Sequence, residues 1–385
     1  MSGKVRKKGL TGLFDNDIQY RNKRPLKNPA VENEGMMSGF CKVILFACVI
    51  SGIFFPLPAF SDGEDPREQK TELYHTLEEK KAPPMLTGLL EIISFGGLVE
   101  AAWSSDNNDR MGDATEFSLS TVELGIGADI NPSVRGFLLF LFEEDSTEPM
   151  EVDEAYLKFS KNGFGVTAGR LYLPFGVFTT HFISDPLTLE LSETSGAALV
   201  LSCSRGPYDI SVGAFRGDME NGGGDESAAA KVSFNPLDGL DLGFFYISDI
   251  SDTNAGLVGS EYIGDTVAGF GGFLKFSYGK WEFDAEYAGA GERFDRRDLD
   301  ADIDGEGDRP VSYNLELAYS PSEHIEFAAK YEGTRDFFSF PKTQYGLAVS
   351  YHLFDNVTVG LENLTGQYEM GGDRNLTTAQ MAVGF

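Results

Sequence analysis

The sequence predicts an all-β fold, a transmembrane antiparallel β-barrel of about 16 strands with a short N-terminal helical segment. Three observations carry this expectation. From Glu91 onward apolar residues recur with a period of two. Tight turns alternate with long polar loops. The stretch 376–385 places Met381, Val383 and Phe385 on one face and Gln380, Ala382 and Gly384 on the other. Outer-membrane barrels close with such a strand, its terminal ring set in the interfacial aromatic girdle. The 45 Gly, 31 Phe and 15 Tyr suit this class better than a helical enzyme.

The elements are taken in chain order. Segment 1–35 is expected to be a mis-assigned translation start or a disordered extension, with Met36 or Met37 as the working start. Segment 36–61 has the layout of a secretory signal: Lys42, an apolar run over 43–55, then Ala59 and Ser61 placed for cleavage. Pro56 and Pro58 stop the run short of the roughly 20 residues a spanning helix needs. Removing it leaves Cys203 as the mature chain's cysteine, so an internal disulfide is not expected. Segment 62–85 is charged, carries Leu73 and Leu77 one helical step apart, and reads as a periplasmic helix or linker.

Segment 86–385 is the expected barrel. Its sixteen candidate strands are 91–104, 116–130, 133–144, 151–160, 163–172, 196–204, 208–217, 225–235, 240–249, 266–278, 281–291, 310–320, 324–335, 343–354, 357–369 and 375–385. In one of them Trp281, Phe283, Ala285 and Tyr287 alternate with Glu282, Asp284 and Glu286. Every even-numbered link is tight, as at Asn131-Pro132, Asn162-Gly163 and Asp355-Asn356, whereas most odd-numbered links are long and polar. Short periplasmic turns and long external loops sort to opposite ends in this way, and an even strand count returns both termini to the periplasm.

Sixteen strands enclose an aqueous channel. By alternation the last six strands turn Glu282, Asp284, Glu286, Glu316, Glu326, Glu332 and Glu362 inward with Lys330 and His352, so the lumen wall there is expected to be acidic. The fifth link, 173–195, is less polar than an exposed loop should be, with Phe175, Phe178, Phe182, Leu187 and Leu191, and an external loop packed against its neighbours at the rim is the alternative to an inward course. The link is expected to fold into the barrel as a constriction loop, with Asp185, Glu190 and Glu193 at the narrowest point, facing Arg170. Radius and charged rings set selectivity in such pores.

Four stretches resemble the LbtU family of siderophore porins: 122–130 (VELGIGADI), Glu143-Glu144-Asp145 with 153–157 (DEAYL), 168–176 (AGRLYLPFG) and 183–191 (ISDPLTLEL). A looser similarity runs over 86–385. The resemblance implies a plug-free outer-membrane barrel that takes up a ferric siderophore or another small solute. It supplies no ligand residues. Polycarboxylate siderophores are anionic and the expected lumen is acidic, so a general cation-preferring diffusion porin is the alternative, followed by a non-transporting structural barrel.

The formal charge is −29; nine of the 31 basic and four of the 60 acidic residues precede Asp62, leaving 22 against 56 beyond it, a balance of −34. So acidic a surface argues against nucleic-acid or phosphate-polymer partners and favours hydrated, cation-attracting loops. The expected partners are outer-membrane lipid, lipopolysaccharide, the barrel-assembly machinery, a small solute and, in a homo-oligomer, further copies of the chain. No cofactor is expected. Asp300, Asp302 and Asp304 space carboxylates like the start of a calcium loop, but Val311 stands at the twelfth position where such a loop has Glu. Loose divalent ions at acidic external loops are the plainer reading. His181, His324 and His352 lack nucleophile partners at suggestive spacing, so no catalytic residue is assigned.

Overall fold

The computed structural model describes residues 92–144, 150–216, 226–258 and 266–385. The segments 1–35, 36–61 and 62–85 lie outside the described residues. Sixteen antiparallel strands form one closed barrel in chain order, and β1 pairs with β16. They are β1 (Ile93–Asn108), β2 (Ala114–Asn131), β3 (Val134–Phe142), β4 (Glu151–Lys161), β5 (Phe164–Tyr172), β6 (Ser195–Arg205), β7 (Tyr208–Arg216) and β8 (Glu226–Leu237). The circuit continues with β9 (Leu240–Ile247), β10 (Gly269–Tyr278), β11 (Trp281–Ala290), β12 (Val311–Ser322), β13 (Ile325–Arg335), β14 (Pro341–Phe354), β15 (Val357–Tyr368) and β16 (Asp373–Gly384). Among the described residues, a short helix α1 (Leu187–Ser192) and one 3-10 turn, Ile250–Asp252, interrupt the loops. No described helix is long and apolar enough to cross a membrane. Closure is what the bilayer demands, because hydrocarbon leaves no water for an unpaired sheet edge.

The tight links fold as the residues dictate. Asn162-Gly163 joins β4 to β5 with φ of 53° and 82°. Asn and Gly are the residues that tolerate two successive positive φ angles, and that turn carries the twist of the flanking strands.

Paired positions share a face, so one reference fixes the rest. Phe117, Phe244, Tyr278 and Leu347 are 69–76% exposed and mark the lipid side. Trp281 pairs with Tyr319 and Phe283 with Leu317 on that side, whereas Asp284 pairs with Glu316 and Glu316 with Lys330 on the inner side. The seam follows the same rule. Val383 pairs with Val99 and Met381 with Ala101. The Phe385 N–H donates to the Gly97 carbonyl at 3.1 Å and receives the Gly97 N–H at 3.0 Å on its own carbonyl.

The interior is partly filled. One buried cluster joins Leu171, Leu173, Phe175 and Leu191 to inward residues of β6–β11, including Phe215, Phe245 and Phe273. A second joins Phe182 to Ala318, Ala328, Ala348, Leu364 and Leu376. Phe175, Phe182 and Leu191 come from the β5–β6 connection, which therefore lies inside the barrel.

The seam gives the first testable outcome. A Cβ on Gly97 would stand 2.3 Å from the Phe385 ring and 2.7 Å from the Glu123 carbonyl oxygen. Gly97→Leu is expected to displace that ring and cost about 1–3 kcal/mol, as overpacked sites do. The check is a lowered unfolding temperature in detergent, read from heat-modifiable electrophoretic mobility.

Candidate functional site

The site is the inner loop, 173–194, and the wall that receives it. Leu171 and Leu173 point inward and start the loop in the apolar cluster. Gly176 (φ 96°) and Phe178 (φ 58°) then bend the chain sharply. Glycine is required at 176, since a Cβ there would stand 2.0 Å from the Phe178 ring. A left-handed Phe178 costs on the order of 1 kcal/mol. It is held because the N–H groups of Val177 and Phe178 both donate to Glu286, at 2.6 and 3.1 Å.

The same device repeats along the loop. Glu286 also accepts from the Thr188 hydroxyl at 2.8 Å. Glu316 accepts from the Thr180 hydroxyl at 2.8 Å and the His181 N–H at 2.7 Å. Glu362 accepts from the N–H groups of Ile183 and Ser184 at 2.8 and 3.0 Å, and from the Ser184 hydroxyl. Glu332 accepts from the Leu187 N–H at 2.8 Å and the Gln344 amide at 2.8 Å. A carboxylate removed from water is tolerable when several donors replace its hydration. Small wall residues make room: a Cβ on Gly346 would stand 3.1 Å from the Phe182 ring, and one on Gly360 3.2 Å from Ile183.

Two cations complete the socket. The Lys330 ammonium, fully enclosed, lies 3.3 Å from Glu316 and 3.9 Å from Glu332. It donates to the Ser184 carbonyl at 3.1 Å and stands 4.6 Å from the centre of the Phe182 ring. The His181 imidazole places Nε2 3.0 Å from Asp284 and Nδ1 3.1 Å from Glu326. Burial alone would lower its pKa; the hydrogen bonds to Asp284 and Glu326, with the charges of Glu326 and Glu316, overcome that and raise it to about 10.

Asp284, Glu286, Glu316, Glu326, Glu332, Lys330 and Glu362 thus point inward, as the alternation predicts. Their surroundings differ from the expected open acidic wall. Glu316, Glu332 and Glu362 are at most 1% exposed beneath the loop. Glu282 is more open, its carboxylate 3.8 Å from His181. His352 is inward and exposed, its Nδ1 2.9 Å from the Thr358 hydroxyl.

Of the expected constriction residues, Asp185 and Glu190 are half-buried on the loop. Glu193 is buried at its base, where Asn254 of the β9–β10 loop donates to it at 3.2 Å. Arg170 corrects the expectation. β5 pairs with both neighbours without a register shift, so Arg170 shares the face of Phe164 and Val166 while Leu171 turns inward. Its guanidinium carrier therefore starts from the outer face, opposite to the loop.

Sequence reasoning overlooked the facing wall. Register puts Glu100, Glu116, Glu123 and Glu154 on the inner side of β1, β2 and β4. On the same side Arg374 makes a bidentate pair with Asp106, at 2.9 to 3.1 Å. The signal is local: Glu100, Glu116, Glu123 and Glu154 sit in candidate strands at positions of inward parity. Elsewhere, Asp300, Asp302 and Asp304 bring carboxylate oxygens within 4.8 Å of one another on the β11–β12 loop. Nearby, burial pushes the Asp308 carboxyl up to about 6, the Ala301 N–H opposing and Asp302, Asp336 and Asp300 adding to it.

Removing Lys330 tests the socket. Lys330→Met is expected to leave Glu316 and Glu332 without their central cation and to destabilise the barrel by about 3–5 kcal/mol. Thermal unfolding in detergent reads this out, and Lys330→Arg is expected to recover only part of the loss.

No family model matches the chain. It is 23% identical over 288 residues to a UPF0422 protein of Legionella pneumophila strain Philadelphia 1, covering 65% of this chain and 53% of that one. A UPF0422 protein of Coxiella burnetii is 21% identical over 273 residues, covering 64% and 57%. The chain thus spans about half the length of the curated relatives it matches. Among solved structures, OprB of Pseudomonas putida superposes with a TM-score of 0.57 at 13% identity, over 78% of this chain and 96% of that one. OmpF of Salmonella typhi, in a complex with daunomycin, gives 0.56 at 11% identity over 76% and 97%. An anion-selective porin of Comamonas acidovorans gives 0.56 at 10% identity over 76% and 99%. The fold of this chain is that of the outer-membrane porins.

Proposed function

We propose that this protein is a passive outer-membrane channel for small hydrophilic solutes, weakly selective for cations. The observation that carries the reading is the inner loop fastened inside a closed 16-strand barrel. A barrel of that size leaves room for water, and a loop held against its inner wall narrows that space. A purely structural or adhesive barrel has no use for such a loop. The sorted turns, the lipid-facing aromatic surface and the Phe385 seam support residence in the bacterial outer membrane, reached through a cleaved signal and the barrel-assembly machinery, with lipopolysaccharide around the rim. Association with further copies of the chain fits the same fold. The channel reading also leaves no role for catalysis.

Charge supports the cation preference. Besides the carboxylates of β11–β15, most of them enclosed beneath the loop, the inner wall carries Glu100, Glu116, Glu123 and Glu154 on β1, β2 and β4, and Arg374 is matched by Asp106. Side chains around the passage set selectivity. The similarity of 168–176 and 183–191 to siderophore porins supports a narrower reading, in which an iron–siderophore complex is the cargo. An acidic passage favours a neutral or cationic complex over a polycarboxylate one.

Planar-bilayer recording tests the channel, and conductance steps are expected. In a KCl gradient the reversal potential is expected to take the cation-selective sign, and to move toward zero in the double variant Glu116→Gln, Glu123→Gln. Absence of conductance removes the channel reading. Growth of a deletion strain on defined iron sources tests the siderophore reading separately, with impaired use of one ferric siderophore as the supporting result.

A further inference from the structure

We propose that His181 is the positioning residue of the inner loop, an imidazolium clasp that pins the loop tip between β11 and β13 and so fixes the width of the passage. The part concerning width rests on the channel reading above. The clasp itself stands on geometry.

A neutral imidazole offers one N–H donor and one lone-pair acceptor. Here each ring nitrogen faces a carboxylate, Asp284 at 3.0 Å and Glu326 at 3.1 Å. With both carboxyl groups ionised, both contacts are hydrogen bonds only when both nitrogens carry protons. Glu326 also accepts from the Ser320 hydroxyl at 3.2 Å, the arrangement of an ionised acceptor. The charged groups around the ring favour the same state: Glu282, Asp284 and Glu286 on β11, Glu316 on β12, Glu326 on β13 and Glu362 on β15, against Lys330 on β13 and His352 on β14.

Position makes the residue decisive. Its backbone N–H is fixed on Glu316, and its neighbour Phe182 is buried in the second apolar cluster. The other described donors from the loop to the wall are main-chain N–H groups and the hydroxyls of Thr180, Ser184 and Thr188. None of those titrates in the working range of pH. The imidazole titrates instead near pH 10, and it ties together two strands that flank β12. Losing its second proton puts a lone pair against a carboxylate and opens one side of the clasp.

The sign follows from a folded pKa of about 10 against an ordinary 6.5. The contribution of the clasp is complete below pH 6.5, declines as pH rises, and is lost on passing through about pH 10. Acidification from neutral pH leaves the imidazolium itself in place.

Two measurements test this on the full-length protein. The first is a nuclear magnetic resonance titration of the imidazole in detergent-folded protein, its signals assigned by their loss in His181→Gln. His181 is expected to be doubly protonated at pH 8 and to titrate near pH 10; a neutral tautomer at pH 8 overturns the proposal. The second is single-channel recording. The wild type is expected to hold a steady level to about pH 9 and to become noisy and larger above it. His181→Gln is expected to be noisy already at pH 7 and to lack the high-pH transition. Glu326→Gln is expected to move that transition to lower pH. A quiet His181→Gln channel at neutral pH, or one that keeps the transition, sinks the clasp while leaving the channel intact. A wild type without conductance removes the channel reading, and the titration still decides the state of His181.

Discussion

A carboxylate taken out of water must be given donors, and the inner face of β11–β15 is organised around that demand. Asp284, Glu286, Glu316, Glu326, Glu332 and Glu362 form a strip that an empty barrel would leave to solvent. The inner loop replaces that solvent with its own unsatisfied groups. An irregular segment has main-chain N–H groups to satisfy, and here those of Val177, Phe178, His181, Ile183, Ser184 and Leu187 go to wall carboxylates rather than to its own carbonyls. Each side solves the other's problem. The loop can therefore cross the interior with only one short helix, and the strip can be acidic without being open.

The apolar contacts decide where the loop lies, and the carboxylates decide its register. Phe175 and Leu191 enter the cluster facing β6–β11, while Phe182 enters the one facing β12–β16. Burying three such side chains is worth roughly 1.5–3 kcal/mol each, enough to draw the loop inward. Apolar contact alone is non-directional and would let it slide along the wall. The hydrogen bonds from Val177, Phe178, His181, Ile183, Ser184 and Leu187 fall on four different carboxylates in sequence. Sliding by one residue would break the whole series, because N–H groups along an irregular chain do not repeat at a constant spacing.

Much of the barrel was legible from residues alone. Period-two alternation located all sixteen strands, and pairs such as Asn162-Gly163 located the turns, because both signals are local. The inward course of 173–194 was legible too, since Phe175, Phe182, Leu187 and Leu191 fit an exposed loop poorly. What escaped was long-range. Parity gave the inward direction of Glu316 and Glu362 but not what would cover them, since their partners lie more than 130 residues away. Arg170 was misplaced through sequence proximity to the loop, when parity with Phe164 already set it on the outer face. His181 was set aside for want of a nearby nucleophile, yet its chemistry here is that of a cation between acids. Arg374 lay one residue outside its candidate strand.

On the channel reading proposed above, these placements change how charge bears on passage. A count of inward carboxylates gives one acidic ring, yet such a count mixes two populations. Those beneath the loop are separated from permeating ions by packed protein and hold fixed donors, so their influence is a steady background field. Glu100, Glu116, Glu123 and Glu154 face inward from β1, β2 and β4 and are half-buried. Glu190 on α1 acts electrostatically on Arg374 of β16, whose guanidinium is paired with Asp106, so charges of both signs meet there. The potential an ion meets there varies across the opening as well as along it. A solute with separated charges is then oriented by the wall, whereas a small ion is chiefly attracted or repelled. Selectivity in such a passage depends on how charge is distributed over the solute, beyond its net sign and size.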